Sequence, residues 1–266
     1  VIIAFIYVWK LSNEIFEEKI YSLLSILALS GIYFYNFTTP EFNVNISQLP
    51  FWALTVYYFW KGINSNSKIN WILFGIFSAL GFLSKYLFIY ILIAIFIYFI
   101  TNLKKYKKFT TNYFLSILIS LTILIPHFIW LFKNNFESIY YGLTRSSLID
   151  STWINYLENP FIFIIKQILI LIPFLIMIFI LLKKIRFKFN IKNRKTLFLI
   201  SINLIPIMLI LITSIVSGAK IRTMWMTPFY LFFGTLFIEL FRTNIDLKKI
   251  KFFYGICLFI LNLSPI

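Results

Sequence analysis

The stretch TTPEFNVNISQLP, Thr38 to Pro50, gathers polar residues with useful chemistry into a chain that is otherwise mostly apolar. Glu41 is its one carboxylate and can act as a general base or a metal ligand. Asn43 and Asn45 can hydrogen-bond the hydroxyls of a sugar. A polar run squeezed between apolar segments must sit at a bilayer surface or line a wet cavity, because hydrocarbon leaves its hydrogen-bonding groups unpaired. The plain alternative for Glu41 is a solvated loop acid.

Cations form the second group. Lys220 and Arg222 stand two apart in the short loop SGAKIRTMW, Ser217–Trp225, and Lys85 interrupts an apolar hairpin at Ser84–Tyr86. Three cations at one headgroup level suit the phosphate or pyrophosphate of a lipid. The alternative is snorkelling, in which such side chains only anchor helix ends. His127 follows Pro126 near a helix end and can bind a metal or a phosphate, or serve structure alone. Tyr140, Tyr141, Trp153 and Tyr156 can stack on sugar rings, but their simpler role is as interfacial aromatics. Asp150 and Glu158 read as solvated acids.

The elements that must position these groups are membrane helices. The 266 residues are 61% hydrophobic and 13% charged, with mean hydropathy +0.88, which is too apolar for a soluble domain. The net charge of +16 would suggest nucleic acid in a soluble protein, but here the positive-inside rule accounts for it, and no nucleic acid partner is expected. The single cysteine, Cys257, excludes a disulfide framework and a Cys-based metal site. No P-loop, Gly-rich phosphate fingerprint, HExxH or GxSxG occurs, which excludes a nucleotide-driven pump.

Spans are expected at 20–37, 50–61, 70–83, 87–100, 113–132, 160–182, 196–216 and 226–241, with part-spans at either end. That makes an all-α polytopic bundle of about nine to ten spans or part-spans, read as a single transmembrane domain over 1–266. Alternate loops place 19 Lys/Arg on one side and five on the other: Lys85, Lys133, Arg145, Lys220 and Arg222. Lys166 falls inside a span. This asymmetry puts the Glu41 loop on the outer face. Val1 and Ile266 each lie within an apolar run, so the chain is expected to be a fragment that lacks the first span, the first outer loop and the C-terminal end.

Five stretches occur in the order found in one known family: EFNVNISQLPFW (Glu41–Trp52), WILFGIFSALGFLSKY (Trp71–Tyr86), PHFIWLFKNNF (Pro126–Phe136), NPFIFIIKQILILIP (Asn159–Pro173) and GAKIRTMWMTP (Gly218–Pro228). In these the chain resembles the bacterial membrane glycosyltransferases of the family 39 type. They have the GT-C fold and are related to protein O-mannosyltransferases and to the aminoarabinose transferase of lipid A. The resemblance implies transfer of a sugar, with inversion, from a polyprenyl-phosphate donor to a lipid or glycan acceptor at the outer face of the bacterial cytoplasmic membrane. That is cell-envelope chemistry of the lipopolysaccharide kind.

By the same resemblance the donor phosphate is held by Lys85, Tyr86, Lys220 and Arg222. Glu41 takes the second acidic position, and Asn43, Asn45, His127, Asn134 and Trp225 contact the acceptor or sugar. The family's main catalytic aspartate is expected upstream of Val1, so this fragment is expected to be inactive alone. The resemblance implies no definite cofactor, and a divalent metal ion is compatible with it. Metal dependence stays open, with Glu41 and His127 as candidate ligands. The competing readings are a lipid-linked sugar flippase or transporter and a non-catalytic membrane partner.

Overall fold

A computed structural model describes residues 1–38, 41–65, 67–146, 152–184 and 193–263. Thr39 and Pro40 of the polar stretch, Asp150, and most of the basic loop Lys183–Lys195 lie outside the described residues. The described chain is helical: α1 Ile2–Ile15, α2 Lys19–Ala28, α3 Tyr33–Asn36, α4 Val44–Asn64, α5 Lys68–Ser84, α6 Ile89–Thr101, α7 Leu103–Tyr106, α8 Thr110–Lys133, α9 Glu137–Arg145, α10 Asn155–Ile180, α11 Arg194–Ser217, α12 Phe233–Phe241 and α13 Ile250–Asn262. Among the described residues the only β pairing is an isolated bridge between Leu182 and Ile245.

Three stretches are long and apolar enough to cross a membrane: Leu103–Lys133, Asn155–Ile180 and Arg194–Ser217. The segments Thr223–Tyr230 and Phe233–Asn244 meet at a 54° bend and add a fourth if they form one broken span. Lys19–Gly31, Lys68–Ser84 and Tyr86–Thr101 are apolar but shorter. The structure thus divides several of the expected spans. The segment expected at 20–37 breaks into α2, a 3₁₀ turn at Leu29–Gly31 and α3. The one expected at 50–61 instead starts at Val44, so that Asn45 and Gln48 belong to a helix rather than to a loop.

α4 packs along α1 and α5, α5 lies on α8, α11 lies against α6 and α10, and α12 covers α2. Small residues allow the closest approaches. A Cβ on Gly75 of α5 would sit 2.5 Å from the main-chain oxygen of Ser116 on α8, so only glycine permits that crossing, and Ser120 donates to the Gly75 carbonyl at 2.7 Å. The core is rich in aromatic contacts. Phe99 and Tyr113 stack at 4.3 Å, and Trp60 meets Phe198 at 4.6 Å. Such pairs add about 0.5–1.5 kcal/mol each beyond the area they bury.

The two ends of the bundle differ. At one, Lys61 pairs with Glu14 at 2.9 Å, Arg194 lies 5.1 Å from the ring centres of both Trp60 and Tyr106, and the Lys195 Nζ donates to the Ile15 carbonyl at 2.6 Å. This end collects residues from the basic loops. The opposite end holds Lys85, Arg145 and the loop that carries Lys220 and Arg222.

Candidate functional site

The site starts with a helix cap. Asn43 has extended backbone, and its side-chain oxygen accepts from the N–H groups of Asn45 (2.9 Å) and Ile46 (3.3 Å), satisfying donors that the first turn of α4 leaves free. Its Nδ2 donates to the Glu41 carbonyl at 3.2 Å, tying the acidic residue to the helix start. With the helix fixed at this point, Asn45 and Gln48 lie three apart on one face, and both are buried.

Both meet Lys85. This residue stands in extended backbone in the turn between α5 and the 3₁₀ turn Tyr86–Phe88. Its Nζ donates to the Asn45 Oδ1 at 2.5 Å, and its carbonyl accepts from the Gln48 Nε2 at 3.3 Å. Among the described residues, the buried Gln48 Oε1 has no hydrogen-bond partner. The Lys85 ammonium also lies 4.9 Å from the centre of the Trp225 ring. Burial, and after it the nearby charge of Arg145, together lower the Lys85 ammonium to about 7.

Trp225 links Lys85 to the late basic loop, because its main-chain N–H donates to the Arg222 carbonyl at 2.9 Å. Arg222 in turn donates through Nε to the Arg145 carbonyl at 3.4 Å, and the Lys220 N–H donates to the Ser146 carbonyl at 2.9 Å. Gly218 ends α11 in the left-handed region (φ 70), and its carbonyl accepts from the Asn159 Nδ2 at 2.7 Å. The loop is therefore held from both α9 and α10. Lys220 is exposed and joins the group through its backbone.

Arg145 was not singled out from sequence, although it is one of the five cations on the sparse side. That rarity was the available signal. Its guanidinium lies 5.6 Å from the Tyr141 ring centre.

A second group adjoins the first. The Tyr86 hydroxyl bonds the His127 Nε2 at 2.9 Å and the Ser138 hydroxyl at 2.7 Å, and His127 stacks on Trp130. Asn134 caps the end of α8, donating from Nδ2 to the Trp130 carbonyl at 2.8 Å. Glu41 is exposed, and among the described residues its carboxylate has no hydrogen bond or ion pair. Among the described residues no three His, Cys, Asp or Glu side chains come together to hold a metal ion. Two cavities, of about 340 and about 300 Å³, lie away from Lys85.

The arrangement can bind an anion. It offers half-buried Lys85 and the cations Arg145 and Arg222, while among the described residues no carboxylate pairs with Lys85. Compared with known proteins, residues 1–130 match the sequence model of the dolichyl-phosphate-mannose-protein mannosyltransferases. The matched segment contains Glu41, Asn45, Lys85, Tyr86 and His127, and it is just under half of the 266 residues. No curated protein and no solved structure matches the chain. Through its first 130 residues, then, this chain is similar to the dolichyl-phosphate-mannose-protein mannosyltransferases.

Proposed function

We propose that the chain belongs to an enzyme that moves a sugar from a polyprenyl-phosphate donor to a lipid or glycan acceptor at the outer face of a bacterial cytoplasmic membrane. The observation that carries this reading is the Lys85 ammonium, held by Asn45 and the Trp225 ring beside Arg145 and Arg222. In the transfer, the bond from the anomeric carbon to the phosphate oxygen breaks as the acceptor oxygen bonds to that carbon from the opposite side. The acceptor proton passes to a base, and the lipid phosphate leaves with an added negative charge. Fixed cations in a site short of water stabilise that charge as it grows. Lys85, Arg145 and Arg222 supply them, and Tyr86 holds the turn through His127 and Ser138. Glu41 is the acceptor or metal contact of this reading, Lys220 adds charge at the rim, and Asn43 and Asn134 set the helix ends on either side.

A flippase or transporter predicts broken helices and polar groups near mid-membrane. One observation favours it: the bent pair at Tyr230–Phe233, where the Tyr230 hydroxyl donates to buried Gln167 at 2.8 Å. The charged groups gather instead around Lys85, which favours the enzyme. The test is binding of a polyprenyl-phosphate sugar to the chain in nanodiscs. Lys85→Ala and Arg222→Ala should each weaken it about tenfold or more, while Lys104→Ala at the basic end should not. Equal binding by all three variants rejects the phosphate site, and movement of the lipid-linked sugar across the bilayer without transfer rejects the enzyme.

A further inference from the structure

Lys166 plays no part in the site above. It is the twelfth of the 26 residues of α10, and it is exposed within a span that is otherwise apolar. Among the described residues it has no ion-pair or hydrogen-bond partner. An exposed charge there faces lipid, where an unpaired ammonium is costly. Phe161, Ile164, Ile165, Ile168 and Leu169 around it are exposed as well, so this face of α10 meets the bilayer and not another helix of the described chain.

Immediately beneath it is a cavity of about 340 Å³ with an apolar lining. Leu169, Ile170 and Pro173 form one wall, and Gly31, Phe37 and Leu263 are among the residues that form the others. Lys166, Leu169, Ile170 and Pro173 are spaced i, i+3, i+4 and i+7, and so share one helix face. Lys166 therefore stands one turn, about 5 Å, beyond the cavity toward the start of α10. Its long side chain leans the same way, because helical side chains tilt toward the N-terminus. Phe37 follows the last residue of α3 and leads into the polar stretch that starts at Thr38. That wall puts the rim of the cavity near headgroup depth, at the level a snorkelling lysine reaches.

The geometry points to a binding site for one anionic phospholipid of the surrounding bilayer, with an acyl chain in the cavity between α3, α10 and α13 and the phosphate on Lys166. The chemistry is an apolar slot with a single cation at its headgroup end. Bulk phospholipid is the occupant because Lys166 faces the open bilayer, whereas the Lys85 cations lie in a separate, half-buried cluster. The inference does not depend on the transferase reading.

Native mass spectrometry of the full chain, released from nanodiscs with matched phosphatidylglycerol and phosphatidylcholine, tests it. Phosphatidylglycerol should be retained over phosphatidylcholine. Lys166→Met should lower that retention about fivefold, the factor equivalent to the ~1 kcal/mol that a lysine near an anionic surface provides. Lys166→Arg should restore it. Leu169→Trp, which keeps the charge but fills the slot, should lower it as well. Equal retention of the two lipids by the unmodified chain, or unchanged retention in Lys166→Met or Leu169→Trp, overturns the site. So does preferential retention of a polyprenyl phosphate over phosphatidylglycerol, or cross-linking of the Lys166 face to a second copy.

Discussion

The Nζ of Lys85 lies 2.5 Å from the Oδ1 of Asn45 and 4.9 Å from the centre of the Trp225 ring, so one ammonium joins the first turn of α4 to the loop after α11. A neutral acceptor and a π face orient this charge without neutralising it. A carboxylate in either place would have cancelled it. The arrangement leaves Lys85 with charge to offer an incoming anion.

Asn45 can be changed in two opposite ways. Asn45→Leu removes the acceptor and should destabilise the fold by about 1–3 kcal/mol, read as a lower unfolding midpoint in detergent. Asn45→Asp supplies a permanent counter-charge. It should stabilise the fold and yet weaken binding of a polyprenyl-phosphate sugar, because the site is then already filled. Parallel changes in stability and binding for Asn45→Asp would contradict the assignment.

The pH dependence follows from the lowered Lys85 ammonium. Burial and Arg145 bring it to about 7, below its ordinary 10.5, so between these values the folded chain binds fewer protons than the unfolded one. Stability should therefore rise with pH across that window, and the cost of the buried charge is fully present below about 7. Binding of an anion runs the other way. Above about 7 the site must take up a proton to hold the ligand, so affinity should fall as pH rises from there. Calorimetry in buffers of different ionisation enthalpy should show uptake of up to about one proton at pH 8. Lys85→Arg, which stays charged throughout, should abolish the uptake.

Arg145 is the cation that the fold adds to the site beside Lys85 and Arg222. Arg145→Ala should raise the Lys85 ammonium above about 7 and also weaken binding of an anionic donor, by about tenfold if one charge-assisted bond is lost. Lys133→Ala, at the exposed end of α8, should change neither. Chemical labelling of Lys85 against pH reads the first effect and donor binding reads the second.

Tyr86 fastens α9 to the bundle. Tyr86→Phe deletes its bonds to His127 and Ser138, each worth about 0.5–1.5 kcal/mol. Amide exchange should quicken in Glu137–Arg145 and stay unchanged in the middle of α4. Uniform acceleration across the chain would mean that Tyr86 supports the whole bundle and not the α9 contact.

Much of this was legible beforehand, for reasons of solvent and charge. Lys85, Lys220 and Arg222 stood out as cations on the sparse side, and the fold links Lys85 to Arg222 through Trp225. Arg145 carries the same signal, but it lies in a mixed polar segment where a charge does not stand out. Asn43 and Asn134 looked like ligand contacts, yet their side chains serve helix ends, because an asparagine at a cap has the same composition as one that binds a sugar. The helix start at Val44 was hidden for a related reason. Polar residues lower the apparent hydropathy of its first turn, and Pro50, which reads as a boundary, is tolerated inside the helix.

By itself, then, the sequence determined the solvent of this protein and its helical class, since hydropathy and charge are properties of each residue that need no neighbour. Tertiary structure alone decided which apolar segments form full-length helices and which bend or break. It also decided that Asn45, Gln48, Lys85, Arg145 and Trp225, separated by up to 180 positions, share one place. That depends on which helix faces approach closely enough to touch, and in lipid this is settled by the fit of small residues such as Gly75 against neighbouring backbone, which no local pattern along the chain encodes.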